Sequence, residues 1–346
     1  MAKQSLAVKY RPKTWDDVTE QKEIKIILTQ QLSDNEVKHG YLFCGPAGCG
    51  KTTAARIFAS EINHGEGTPI ELDAASNNSV DDIRRLIEQA QTMPLDCDYK
   101  VFILDEVHSL SSSAWQAFLK TLEEPPAKAI FIMCTTDPQK IPATILSRAQ
   151  RYNFQKISQK GIVDRLCYIL DTENIPKVVG DFEAVEYIAK LADGGMRDAI
   201  TLMDKCLSYS TELNLENVVN ALNVVDYSTM FKLTDYITSD DSKATVELID
   251  EMYDSGKDLK QFIKSYIQFL LDIRKHYIGC DWSHINIPKL PEYEEWLKDN
   301  KEDYYIKRMY DLLECLLSLD VAIKYSSTVK YDVEAKLLQF IGFREI

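Results

Sequence analysis

The stretch "GYLFCGPAGCGKTTAARIFAS", residues 40–60, constrains the fold more than any other part of this chain. An apolar run closes at Cys44, a glycine-rich loop follows, and an amphipathic pattern opens at Lys51. Gly45, Gly50, Lys51 and Thr52 fit the phosphate-loop pattern G-x-x-x-x-G-K-[ST], in the strand-to-helix setting that the pattern requires. The expected cradle is Gly45, Pro46, Ala47, Gly48, Cys49, Gly50, Lys51, Thr52 and Thr53. Its glycines let backbone N–H groups close round a phosphate, Lys51 offsets the charge of β and γ oxygens, and Thr52 ligates Mg²⁺. A plain glycine turn before a helix would not need the Lys-Thr pair in register.

The neighbouring pattern agrees. "HGYLFCG", "TPIELDA", "KVFILDE" and "AIFIMCTT" are short apolar runs of the kind that form strands covered on both faces, and helical patterns at 51–61, 80–92 and 112–122 fill the gaps. Alternation of this sort predicts an α/β core with a parallel sheet. From about residue 158 amphipathic helices take over, so the expected division is an α/β nucleotide-binding domain at 1–157, a small helical domain at 158–223 and an all-α domain at 224–346. No apolar run reaches eighteen residues and the first residues hold no apolar signal core, which predicts a cytoplasmic protein without a membrane partner. Eight scattered cysteines form no CxxC pair and read as free thiols. With 40 Lys and Arg against 54 Asp and Glu the formal charge is −14, which argues against indiscriminate binding of polyanions and leaves only a focused basic surface for nucleic acid.

"VFILDEVHSL" brings two carboxylates to the carboxyl end of a strand, where such sheets bind ligands. Asp105 suits the Mg²⁺ shell and Glu106 suits polarisation of an attacking water, so hydrolysis is expected as well as binding. "FIMCTTDPQKIP" adds the hydroxyls of Thr135 and Thr136, "ILSRAQRYNF" offers Arg148 after a helix, and "GGMRDAITLMDK" sets Arg197 at a helix start. Taken singly, each arginine reads as a solvated surface charge.

The order of these motifs resembles the clamp-loader branch of the AAA+ ATPases, and within it the bacterial gamma/tau family. "KYRPKTWDDVTEQ", the phosphate loop, "ELDAASNNSVDDIR", "LDEVHSLSSSAWQAFLKTLEEPP", "TTDPQKIPATILSRAQRYNF" and "GGMRDAITLMDK" carry the resemblance through about residue 205, and "YDVEAKLLQF" is similar to the family's last collar helix. The resemblance implies an AAA+ core, a helical lid and a helical collar, ATP with Mg²⁺, and a partly circular pentamer made with further copies and other clamp-loader subunits. It also implies action on a sliding clamp and primer–template DNA. On it Arg11, Pro12 and Val18 line the adenine pocket, and Thr136, ahead of Thr135, senses the γ-phosphate. Arg148 completes a neighbour's site in trans, Arg197 is the lid's sensor, and Arg84, Lys120 and Lys140 keep basic positions that meet DNA.

The chain departs from the family in four places. "SEINHGEGTPIELDAAS" runs where a four-cysteine zinc module is usual, so no zinc is expected. Ala149 replaces the cysteine of Ser-Arg-Cys, and Asn77 and Ser79 stand where basic residues are usual. A close at residue 346 fits the short, gamma-like form. Two other readings stand beside the clamp-loader motor. One is a different AAA+ remodeller, such as a helicase loader, against which "KTLEEPP" tells. The other is a nucleotide-dependent structural subunit, against which the intact Lys51, Thr52, Asp105 and Glu106 tell.

Overall fold

A computed structural model describes residues 4–175, 182–222 and 227–342. The chain divides into two compact units, Met1–Leu213 and Asn214–Ile346. The boundary expected between 223 and 224 lies outside the described residues.

In the first unit the elements run α1 (Leu6–Lys9), α2 (Lys22–Ser33), β1 (Gly40–Cys44), α3 (Lys51–Ile62), β2 (Ile70–Asp73), α4 (Val80–Gln91), β3 (Lys100–Asp105), α5 (Ser112–Glu123), β4 (Ala129–Thr135), α6 (Ala143–Leu146), β5 (Gln150–Asn153), α7 (Gln159–Thr172), α8 (Glu183–Leu191) and α9 (Met196–Tyr209). The sheet is parallel throughout in the order β2-β3-β4-β1-β5. Successive side chains of a strand face opposite ways, and both faces are covered. Leu42, Phe102, Leu104, Phe131 and Met133 face Ile83, Leu86, Trp115, Phe118 and Ile145. Tyr41, Phe43, Ile103, Ile130 and Ile132 face Ala54, Phe58, Ile62, Ile24 and Leu28. Phe131 stacks on Phe102 at 5.3 Å between ring centres and meets Phe118 edge-on at 5.1 Å, so its loss to alanine would cost about 3–5 kcal/mol.

One expectation about the sheet needs correction, and one strand lies outside those read from the sequence. β2 is an edge strand: Ile70 and Leu72 are half-buried while Glu71 and Asp73 are exposed, so it is not covered on both faces. The fifth strand, β5, is absent from the sequence pattern, because "QRYN" buries only Tyr152 and shows no apolar run. It pairs with β1 from Tyr41↔Gln150 to Cys44↔Asn153 at the other edge.

Beyond the sheet, α7, α8 and α9 pack on one another. Ser158 caps α7 through the Gly161 N–H at 3.0 Å. The second unit is helical: α10 (Leu215–Leu222), α11 (Tyr227–Thr238), α12 (Ser242–Asp254), α13 (Leu259–Tyr277), α14 (Pro291–Asp299), α15 (Asp303–Ile323) and α16 (Val329–Gly342). Phe231, Tyr266, Phe269, Leu312, Leu316 and Leu337 lie at its core. No helix among the described residues is long and apolar enough to cross a membrane.

Candidate nucleotide site

β1, paired between β4 and β5, delivers the chain to a loop in which two glycines could not be replaced without movement. A Cβ on Gly45 would stand 2.5 Å from the Phe154 carbonyl oxygen. Gly48 has φ +70°, and a Cβ there would stand 2.9 Å from the Cα of Gly195. That second approach brings the start of α9 against the loop, where the Met196 N–H donates to the Gly48 carbonyl at 3.0 Å.

Lys51 is 6% exposed although it carries a charge. Its Nζ donates to the carbonyls of Gly45 at 2.9 Å and Pro46 at 2.8 Å, which hold the ammonium at the mouth of the loop. One residue on, the Thr52 hydroxyl donates to Asp105 Oδ2 at 2.7 Å. α3 and β3 thus bring together the two oxygen ligands expected for a divalent cation. Hydroxyl, carboxylate and water oxygens suit a hard ion such as Mg²⁺, so these residues fit it. No group of three or more His, Cys, Asp and Glu that could hold a metal occurs among the described residues.

The cleft in front of the loop is lined by Ala47 to Thr53, Asp105 and Glu106, together with Arg11, Pro12, Val18 and Arg197. Gly45 and Pro46 stay behind Lys51 as its carbonyl partners and do not line it. Burial and the like charges of Arg56 and Arg197 lower the pKa of Arg11, which marks a cationic wall that an anion would relieve. Cys49 also lines the cleft, but burial raises its thiol pKa and its Sγ donates to the Pro46 carbonyl, so it is a packing residue.

Thr135 is fully buried, and its hydroxyl accepts from the Asp137 N–H at 3.0 Å. Thr136 donates its hydroxyl to Glu106 Oε2 at 3.0 Å and touches the cleft only through that carboxylate. Arg148 lies outside its own chain's cleft: it pairs with Glu123 at 2.6 Å and donates to the Thr144 carbonyl at 2.6 Å. Arg84 and Lys140 are exposed and pair with Asp81 at 3.1 Å and Asp137 at 3.2 Å, and Lys120 is exposed in the last turn of α5. Asn77 donates to the Asp73 carbonyl, while Ser79 caps α4 in a reciprocal pair with Asp82.

Sequence reasoning misses part of the wall. Tyr10, Thr19, Ile157, Arg165, Met196 and Ile200 also line the cleft. Arg165 donates to the Tyr10 carbonyl at 3.2 Å and looks in sequence like any solvated helix charge.

Residues 161–212 match the family described as DNA polymerase III clamp loader subunit, ATPase lid domain, and residues 62–158 match DNA polymerase III, delta subunit. The chain is 31% identical to DNA polymerase III subunit gamma of Buchnera aphidicola, over 98% of this chain and 99% of that one. The chain belongs to the DNA polymerase III gamma/tau clamp-loader family. DNA polymerase III subunit tau of Bacillus subtilis is 38% identical over 94% of this chain, and subunit tau/gamma of Haemophilus influenzae is 41% identical over 65% of it. The chain spans 61% and 36% of the lengths of those two relatives. Among solved structures, the Thermotoga maritima RuvB Holliday junction branch migration motor aligns with a TM-score of 0.51 at 21% identity, over 66% of this chain and 79% of that one. A single-residue variant of the same motor gives 0.52 at 19% identity, over 82% and 91%. Those likenesses bear on the AAA+ fold.

Proposed function

We propose that this chain is the ATP-hydrolysing motor subunit of a DNA-replication clamp loader, opening a sliding clamp and placing it on primer–template DNA in the cytoplasm. The observation that carries the proposal is the Thr52–Asp105 contact at 2.7 Å beside a buried Lys51 and an unsheathed Glu106, in a chain of the gamma/tau family.

In this reading Arg11, Pro12 and Val18 flank the base, and the loop N–H groups with Lys51 hold the phosphates. Thr52 and Asp105 would hold Mg²⁺, which would supply positive charge to offset that of the phosphates. Glu106 orients and deprotonates the attacking water. Thr136 exchanges its bond to Glu106 for one to the γ-phosphate, and Arg197 reaches the phosphates from α9. Arg148 leaves Glu123 to act on the nucleotide of an adjoining subunit, within a pentamer of further copies and companion subunits. Arg84, Lys120 and Lys140 meet DNA phosphates, which position the complex without reading sequence.

Steady-state ATP turnover of the chain with companion subunits tests the proposal. The expected result is strong stimulation only when both clamp and primed DNA are present. Turnover indifferent to both would overturn it in favour of another AAA+ remodeller or a nucleotide-locked scaffold.

A further inference from the structure

Two neighbouring residues, Glu20 and Gln21, have φ +58° and +56°, a left-handed conformation that residues with long side chains rarely adopt and that costs energy at each. Gln21 stands at the N-cap of α2, yet its side chain makes no cap for that helix. The amide is engaged elsewhere. Gln21 is buried, its Nε2 donates to the Gln155 carbonyl at 2.8 Å, and its Oε1 accepts from the Gln155 N–H at 3.2 Å. One side chain thus takes both backbone groups of one residue, as a partner strand would. Glu20 grips the chain three residues further on, where its Oε2 accepts from the Ser158 N–H at 3.1 Å and its Oε1 from the Ser158 hydroxyl. Ser158 is the N-cap of α7, a position that favours negative charge. The approach is close: a Cβ on Gly161, in the first turn of α7, would stand 2.6 Å from Glu20 Oε1.

We propose that Gln21 is a positioning residue for ATP hydrolysis: its amide holds the linker between β5 and α7, and so sets where α9 carries Arg197 against the nucleotide. The inference rests on the reading of Arg197 as a residue that reaches the phosphates. The linker leaves the sheet at Phe154, whose N–H donates to the Cys44 carbonyl at 2.7 Å. Past Gln155, the Ile157 N–H donates to the Gly194 carbonyl at 3.1 Å, and α9 opens at Met196, so the linker and the start of α9 are tied together. On its other side Gln21 is continuous with Val18 and Thr19, which line the cleft, and Lys25 of α2 donates to the Val18 carbonyl. Ile157 and Arg197 line the same cleft. One buried amide therefore joins a segment of the cleft wall to the linker that aims another. Without it Gln155 loses both of these bonds, and the left-handed turn loses contacts that offset its strain.

Steady-state turnover of the full assembly with clamp and primed DNA tests the inference when Gln21 is changed in two backgrounds. In the otherwise wild-type chain, Gln21→Ala should lower kcat about 10- to 100-fold, the scale on which a misplacement of about 1 Å acts. In the Arg197→Ala background the same change should lower kcat by less than about twofold further, because residues that act through one another do not add. An amide that only stabilises the fold would multiply the two losses. Unchanged kcat in Gln21→Ala, or losses that multiply, overturns the inference. Should Gln21→Ala fail to fold, Gln21→Glu keeps the acceptor for the Gln155 N–H, loses the donor to its carbonyl, and is judged in the same two backgrounds. Arg197→Ala alone serves as the reference. If it turns over normally, the reading of Arg197 has failed; if it is slow while Gln21→Ala is normal, only the role of Gln21 has failed.

Discussion

Among the described residues, each unit of the molecule buries one cation on backbone carbonyls, and only one of the two is placed to bind anything. Lys51 in the first unit is 6% exposed and Arg308 in the second is 3% exposed. Arg308 donates through Nε and Nη2 to the Ile237 carbonyl, at 3.2 and 2.9 Å, and pairs with Asp240, so its charge is matched where it lies. Lys51 meets two carbonyls and, among the described residues, no carboxylate within ion-pair distance, and it lines an open cleft beside other cations. A buried charge that is paired closes a helix end, while a buried charge left with neutral partners at a cavity awaits an anion. Burial alone therefore says little about function; the missing counter-charge says much more.

Substitutions that remove each cation should sharpen that contrast. Lys51→Ala is expected to have the largest effect, abolishing ATP binding in a titration while thermal unfolding of the free protein stays near the wild-type curve. Arg148→Ala comes next. It should leave ATP affinity intact and cut turnover of the assembled loader by about 10³-fold, as trans-acting arginines do in other NTPases. Normal turnover would mean that sites are not shared between subunits. Arg308→Met should behave oppositely to Lys51→Ala, costing the second unit about 3 kcal/mol in a denaturant melt through the lost charge-assisted bonds to the Ile237 carbonyl and Asp240, with ATP affinity unchanged. The smallest effect concerns Cys206 on α9. Burial pushes its thiol from 9.0 up to about 11, so the folded state holds this proton more tightly than the unfolded chain. The linked stability is fully present below pH 9.0 and is lost as pH rises towards about 11, and Cys206→Ala should flatten that alkaline slope by about 2–3 kcal/mol.

The two units also differ in how far they can be read in advance. The phosphate loop and the Asp105–Glu106 pair are legible because phosphate chemistry demands particular residue types in a fixed order at strand ends. β5 is not, since an edge strand with one buried residue, Tyr152, carries no period to detect. The cleft's outer wall is illegible for another reason. Tyr10, Arg165 and Met196 come from the segment after α1, from α7 and from α9, and only tertiary packing joins them. In the second unit the helical period is plain, but nothing in "YYIKRMYDLL" distinguishes the buried Arg308 from the solvated Lys307 beside it. What that helix faces becomes visible only when α11 is folded against α15.

The most direct test of the account mixes two inactive proteins. Glu106→Gln keeps its arginine but loses the base, and Arg148→Ala keeps its base but loses the arginine. Each alone, assembled with companion subunits, clamp and primed DNA, should turn over almost no ATP. Mixed in equal amounts before assembly, they should recover turnover, because an intact Glu106 on one subunit then meets an intact Arg148 on its neighbour. Mixed assemblies that form at the normal size yet stay inactive would contradict a hydrolytic site shared between subunits.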